Sequence, residues 1–559
     1  GASSGRRLRD FFRGRIDELR VWNEALSAAE IASVAGRSTS DLLETGRSAA
    51  PLQVRPVVAT VRAGVPGVFR LVAHNGGRNA ASGRLIVAPA SEDAAAVSAE
   101  ESLRLAPGER RTLPVRHGAL DEGVHRLQAE WRAAAGSESG STFELYAYRP
   151  TGRSPSGDVK TDRLQAIDLG GAVSPESFCD DGTSQVVTSP AGTYREAGAA
   201  YGARFAVRLT ALTPGALHRM TVRYPDDRRR TADITMTSED GADRFNCQSG
   251  YYTGGVFPLS NAMQKMAVYF WPRRTEASVV FMTATAGEPA AAADLSVERV
   301  TGRLPAHRLA GKRTARSAGL YWEDPTVTKC FGENGAAPDA FSRVVGRLSD
   351  LLDFMACDTV IYPAVWYTGP LYASLREAPG QGSDRHPLND YLKMLLLEFE
   401  ERRLRLIPSV NVHELASLRA AANTDFGSIQ AGADTVNAVL GDNTVQKHTW
   451  HHRPPAYNVA HPYVQERLEG LIRELVARCA PSPAFEGVAL HLTVVSPLTF
   501  GFLTAGYDDR TIGRFERETE IEVPVADDDP ERFAGRYEWL TSEAYEPWVR
   551  WRCSVVTDF

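Results

Sequence analysis

The chain has 559 residues, a length that implies three or four domains at about 150 residues each. Its 43% hydrophobic and 24% charged residues fit ordinary globular protein. A formal net charge of −6 over this length gives no basis for a nucleic-acid or anionic-membrane partner, and no run reaches the roughly 18 apolar residues of a membrane span. The six cysteines (Cys179, Cys247, Cys330, Cys357, Cys479 and Cys553) are scattered, without a CxxC pair or metal-ligand spacing. They read as free thiols, and Cys179 with Cys247 is the one same-domain pair named for a disulfide. No metal and no cofactor is implied. The chain opens on Gly1 and stops at Phe559 within a helical pattern, so both ends read as cut and any targeting signal is expected outside this segment.

Residues 14–34 read GRIDELRVWNEALSAAEIASV. Ile16, Leu19 and Val21 suit a strand, and Ser27 with Glu30 three positions on forms a capping box for a short helix. The pattern G-x-I-D-E-hydrophobic-R followed by N-x-A-L-S-x-x-E-I resembles the C-terminal end of a laminin-G-like, concanavalin-A-like lectin domain. A strand and helix this short cannot bury a core. Residues 1–47 are therefore expected to be a remnant whose main body lies upstream.

Residues 50–150 alternate short β-type runs with turn signals: 69–77 (FRLVAHNGG), 83–89 (GRLIVAP), 105–115 (LAPGERRTLPV) and 125–131 (HRLQAEW). Their spacing predicts a seven-stranded sandwich, similar to the immunoglobulin-like spacers of secreted carbohydrate-active enzymes. A Pro/Gly/Ser stretch, residues 149–158, reads as a linker. Residues 157–302 carry β-branched and aromatic runs with Gly/Asp turns, which suggest a jelly roll of carbohydrate-binding type. Sugar rings stack on aromatic faces while acids and amides bond hydroxyls. Tyr251, Tyr252, Trp271, Asp226 and Asp227 are thus the candidate ligand contacts there. Against this stands the plainer reading, in which Trp271 is core and Asp226-Asp227 only a turn.

From residue 304 the periodicity changes. Strand-like runs at 318–322, 358–366, 404–414 and 485–493 alternate with helical patterns at 339–356, 387–403 and 461–479, which implies parallel βαβ units. No Gly-rich phosphate loop follows any strand, whereas long polar and aromatic segments do. That is where a (β/α)8 barrel builds its site. The run NVAHPYVQERLEGLIRELVARC…FEGVALHL, followed by GYDDRTIGRFERETEIEVP, resembles glycoside hydrolases related to family ten, with clan-A-like barrels. The resemblance implies a TIM-type barrel over residues 304–559. Only four β/α units are legible, about the first half.

Glycoside hydrolysis needs two carboxyls, about 5 Å apart for retention and about 6.5 to 9.5 Å for inversion. Glu323, Asp324 and Glu414 are the candidates at strand ends, each with a plainer role in a turn or loop cap. The family's acid at the end of strand four is missing, since that strand ends His491-Leu492-Thr493. Trp322, Trp366, Tyr367, Asn411, His413 and His491 are placed to line a sugar subsite. Trp450 and His451, in the histidine-rich HTWHH at 448–452, are assigned to a substrate loop in preference to a metal site. Asp508 and Asp509 are expected to cap a following helix. The composite reading is a multidomain, secreted (extracellular or periplasmic) glycan-degrading enzyme acting on a polysaccharide or glycoconjugate. The alternative is a non-catalytic adhesion or carbohydrate-binding protein with a degenerate barrel.

Overall fold

The fold is taken from a computed structural model that describes residues 52–90, 97–134, 136, 138–238, 248–307, 317–333, 337–381, 390–447 and 455–559. The expectations for residues 1–47, for Cys247, and for Trp450 and His451 lie outside the described residues.

Eight strands build the first region: β1 (Leu52–Pro56), β2 (Thr60–Arg62), β3 (Gly67–Asn75), β4 (Ala81–Pro89), β5 (Ala99–Leu105), β6 (Arg110–His117), β7 (Gly123–Ala133) and β8 (Glu138–Tyr148). A three-stranded sheet β1-β3-β6 faces a five-stranded sheet β2-β8-β7-β4-β5. Alternating residues such as Phe69, Leu71, Leu85, Val87, Leu127 and Trp131 fill the space between them. The end of β8 departs from one-sided burial. Leu145 and Ala147 face the sandwich core, while Tyr146 and Tyr148 on the opposite face belong to the core of the C-terminal region.

Twelve strands form the second region: β9 (Thr161–Asp168), β10 (Phe178–Asp180), β11 (Gln185–Ser189), β12 (Gly192–Glu196), β13 (Arg204–Leu209), β14 (His218–Pro225), β15 (Arg230–Thr237), β16 (Gln248–Thr253), β17 (Met263–Phe270), β18 (Ala277–Thr283), β19 (Ala291–Ala292) and β20 (Asp294–Val300). They make a five-stranded sheet β10-β13-β18-β15-β16, a four-stranded sheet β17-β14-β20-β9 and a small sheet β11-β12-β19. Phe205, Phe281, Ile234, Met220, Val222 and Phe270 are buried in its core.

The third region opens on β21 (Gly319–Tyr321), followed by α1 (Val327–Cys330), α2 (Pro338–Phe354), β22 (Thr359–Tyr367), β23 (Gly369–Pro370), α3 (Tyr391–Arg402), β24 (Arg405–Val412), α4 (Ala416–Ala421), α5 (Phe426–Gln430), β25 (Val439–Leu440), β26 (Thr444–Val445), α6 (Pro462–Cys479) and β27 (Ala489–Leu490). Three more helices complete it: α7 (Asp509–Thr519), α8 (Arg532–Ser542) and α9 (Tyr545–Asp558). Strands β21, β22, β24 and β27 pair in parallel, in sequence order. Parallel neighbours need long crossovers, and α2, α3 and α6 occupy them. Among the described residues this sheet has these four parallel strands and the short β23, antiparallel to β22, and does not close on itself, so the barrel expectation is met only as far as an open sheet with four parallel strands. The expected strand at 485–493 shrinks to Ala489–Leu490, because Leu490, Leu492 and Val494 are 43%, 54% and 42% exposed and lack a partner surface. Helices α7–α9 form a separate cluster around Phe515, Trp548 and Trp551.

The 149–158 segment is no free linker. Thr151 donates to Glu398 through its backbone N–H (2.8 Å) and Oγ1 (2.6 Å), and Ser154 Oγ donates to Asp350 (2.9 Å). Tyr148 Oη donates to the same Glu398 at 2.7 Å. Arg402 then ties Glu398, Asp350 and Asp353 together at 2.5, 2.7 and 3.0 Å. Glu398 and Arg402 are both fully buried. Burial works against the Arg402 charge, yet the surrounding carboxylates outweigh it and hold the guanidinium above its ordinary value.

Candidate functional site

The C-terminal ends of the four parallel strands bring together residues that are distant in sequence. Trp366 and Asn411 are register partners on β22 and β24, so both side chains leave the sheet on one face. The Trp366 ring stacks on Tyr367 at 4.1 Å between centroids, and Tyr367 stacks on His413 at 4.4 Å, both with an interplanar angle of 16°. The result is a column of three rings. Tyr367 adopts φ +49°, a conformation that a bulky residue rarely takes. The amides of His413 (2.7 Å) and Glu414 (2.9 Å) both donate to the Tyr367 carbonyl and fix that turn. Across the mouth, the Tyr321 hydroxyl lies 3.1 Å from His491 Nδ1, and their rings meet edge to face. His491 N–H donates to Val410 O at 2.9 Å, which continues the register of β27 beside Asn411.

The carboxylates follow the same strand ends. Glu323 and Asp324 are exposed just after β21. They are close enough to act electrically on the mouth: burial is the larger cause, and these two charges add to it, in pushing the Tyr321 and Tyr367 phenols above their ordinary values. Glu414, half-buried after β24, forms an ion pair with Arg419. Trp322 is not part of the ring column. Its ring instead packs near Phe331, 5.9 Å between centroids, against the core below.

Sequence reasoning missed Tyr321 and Thr493. The hydroxyl partner of His491 is on the far edge strand, and only the parallel register reveals it. A helix-side cleft of about 380 Å³, lined by Asp434, Asp508, Asp509 and Arg510, is separate from the mouth. Its acids already have structural work. Asp508 caps α7, accepting from Thr511 N–H at 3.0 Å, while Asp509 binds Arg532 and Arg536 at 2.8 and 2.6 Å. Asp509 therefore braces α8, and Asp508 alone makes the cap. Among the described residues no group of three or more His, Cys, Asp or Glu is placed to hold a metal.

In the second region the structure sorts the candidates sharply. Tyr251 is core: it stacks on Tyr224 at 4.0 Å, and its oxygen accepts from Ala291 N–H at 2.8 Å. Trp271 is 6% exposed and packs on Phe331 at 4.8 Å, so it joins this region to α1 rather than meeting a ligand. Gly332, at φ +74°, is needed there, since a Cβ would meet the Trp271 carbonyl oxygen at 2.7 Å. Asp227 is spent on Arg230 (2.9 Å) and on the Tyr194 hydroxyl (2.6 Å). Asp226 accepts from Ser260 N–H at 2.9 Å and braces the facing turn. Tyr252 alone among the five is exposed, at 49%, with the Arg229 guanidinium 5.6 Å from its ring centre. The loop that follows places Val256 at 87% and Phe257 at 80% exposure, a pair that the sequence reading passed over although G-G before and Pro258 after mark a turn.

No family model matches this chain and no curated protein does. Among solved structures, it is similar to a family 35 carbohydrate-binding module in complex with a glucuronic acid-containing disaccharide, at 18% identity and TM-score 0.19, covering 25% of this chain and 99% of that one. A family 35 module from Cellvibrio japonicus matches at 19% identity and TM-score 0.18, over 25% and 99%. A calcium-binding mutant of Bacteroides uniformis β-glucuronidase 2 matches at 9% identity and TM-score 0.19, over 46% of this chain and 31% of that one.

Proposed function

We propose that this chain is a secreted saccharide-processing protein that takes a sugar at the mouth of the parallel sheet and hydrolyses a glycosidic bond. The observation that carries the reading is the column Trp366–Tyr367–His413 standing beside the carboxylates of two strand ends. Aromatic faces match the C–H faces of pyranose rings, and carboxyls on either side of a glycosidic oxygen are what its cleavage requires. In this reading Glu414 supplies one carboxyl, and Glu323 or Asp324 the other. The four strands in sequence order support a (β/α)8-type ancestry for residues 304–559. Residues 50–150 serve as a spacer and residues 157–302 as a glycan-binding module.

Release of reducing ends from plant, algal and bacterial polysaccharides tests the assignment. Glu414→Gln and Asp324→Asn, with Glu323→Gln beside them, are expected to cut turnover by about 10² to 10⁴-fold where they remove a proton-transfer group. A second reading, a non-catalytic binder, is favoured by the His491-Leu492-Thr493 segment that follows β27, which offers no acid. Saccharide binding without turnover in the wild-type chain selects that reading.

A further inference from the structure

Three side-chain atoms at the mouth are buried and meet no hydrogen-bonding partner: Trp366 Nε1, Asn411 Oδ1 and, on a half-buried residue, Thr493 Oγ1. Trp366 and Asn411 stand at the ends of β22 and β24, and Thr493 three residues beyond β27. Trp366 and Asn411 are only 7% and 3% exposed, and they share one register position and one face. A buried polar atom left unmet costs free energy that the rest of the fold must supply. Other buried amides among the described residues do not carry that cost. Asn437 donates to Gln446 O and Ala456 O at 3.1 and 3.2 Å, and Asn458 Oδ1 accepts from Ala460 N–H at 2.9 Å.

The unmet atoms are complementary in kind. The indole N–H can only donate, the amide oxygen can only accept, and the threonine hydroxyl can do either. A carboxylate or phosphate would be repelled by Asn411 Oδ1, and an ammonium by the indole N–H. A hydroxyl satisfies both, accepting from Trp366 while donating to Asn411, and a neighbouring hydroxyl can engage Thr493. We propose that Trp366, Asn411 and Thr493 form a hydroxyl-reading subsite for one neutral sugar ring, seated beside the Tyr367–His413 stack. This rests on the saccharide reading and adds its specificity: the site selects a ring by the presence and position of particular hydroxyls.

The test uses the full chain, with titration calorimetry against neutral disaccharides and their matched monodeoxy analogues, and with thermal melts of Asn411→Leu and Thr493→Val. Wild type is expected to lose at least about tenfold in affinity for one monodeoxy analogue, since a site built around a hydroxyl is left with unpaired groups when it is missing. Asn411→Leu should lose the parent sugar while melting at or above the wild-type temperature, because it removes an unmet acceptor at nearly constant shape. Thr493→Val provides the same comparison at a second position should the first variant fold poorly. If both variants melt several degrees lower and bind sugar as wild type does, the atoms serve the fold and the subsite is overturned. Equal affinity for every deoxy analogue overturns the subsite but leaves the saccharide reading standing. Absence of binding to any sugar ends both.

Discussion

Tyr251 and Tyr252 are adjacent in sequence and opposite in environment, because successive strand residues point to opposite faces. One is 9% exposed and bonded into the core, the other 49% exposed. Composition alone could not separate them; the face that each turns out from β16 does. Their variants should diverge accordingly. Tyr251→Ala leaves a hole and is expected to destabilise the chain by about 3–5 kcal/mol in a denaturant melt. Phe257→Ala, in the exposed loop, should stay within about 0.5 kcal/mol of wild type. If this loop carries the glycan contact, the same Phe257→Ala change should weaken binding by about 1 kcal/mol on a glycan array, with Tyr252→Ala alongside. A Phe257→Ala protein that unfolds early would mean that the loop is packed after all.

At the scale of elements, the long helices α2, α3 and α6 of the third region were legible because their apolar spacing is regular, and the start of α7 because it is signed by a cap. His461 caps α6 by accepting from Tyr463 N–H, and Asp508 caps α7. The short strands were less legible. β21 is the three-residue centre of the run read at 318–322, whereas β27 keeps two residues of the run read at 485–493, where exposed Leu490 gives no alternating pattern. Of the site, Trp366, Asn411 and His413 could be placed from strand ends, whereas the stacking at Tyr367 depends on a backbone turn that no spacing encodes. The charged contacts between helices also predict an acid response. Burial raises the Asp509 carboxyl, but hydrogen bonds from Arg532 and Arg536 outweigh it and hold the group below its ordinary value of 3.8. A depressed folded pKa gives stability that is present above 3.8 and lost as pH falls through the folded value. Asp508 has the opposite sign: burial raises it, so its contribution is present in acid and lost as pH rises through its folded value. Asp509→Asn should therefore flatten the loss of melting temperature below about pH 4. An acid limb as steep as that of wild type would remove Asp509 from the account.

For the molecule from residue 52 onward, the buried cluster of Glu398, Arg402, Asp350 and Asp353 accepts hydrogen bonds from Tyr148, Thr151 and Ser154 and so joins elements that composition assigns to separate modules. Arg402→Met strips the counter-charge from Glu398 and Asp353, leaving Asp350 to Arg303, and is expected to destabilise by about 3–5 kcal/mol. A second contact acts in the same direction, where Arg478 donates to Val57 O at 2.8 Å and to Asp390 at 2.6 Å, tying β1 and β2's connection to α6. Calorimetry should accordingly show one endotherm for the sandwich and the α/β region, with matching calorimetric and van't Hoff enthalpies; two resolved peaks would mean that the contacts are too weak to couple them. The pinned 149–158 segment also bears on how such genes are shuffled. Glycine, proline and serine make it look like a neutral seam, yet Thr151 and Ser154 on it are matched to acids some two hundred positions away. A recombination break at this point would separate each residue from its mate, so the donor module and the recipient helices have to be inherited together.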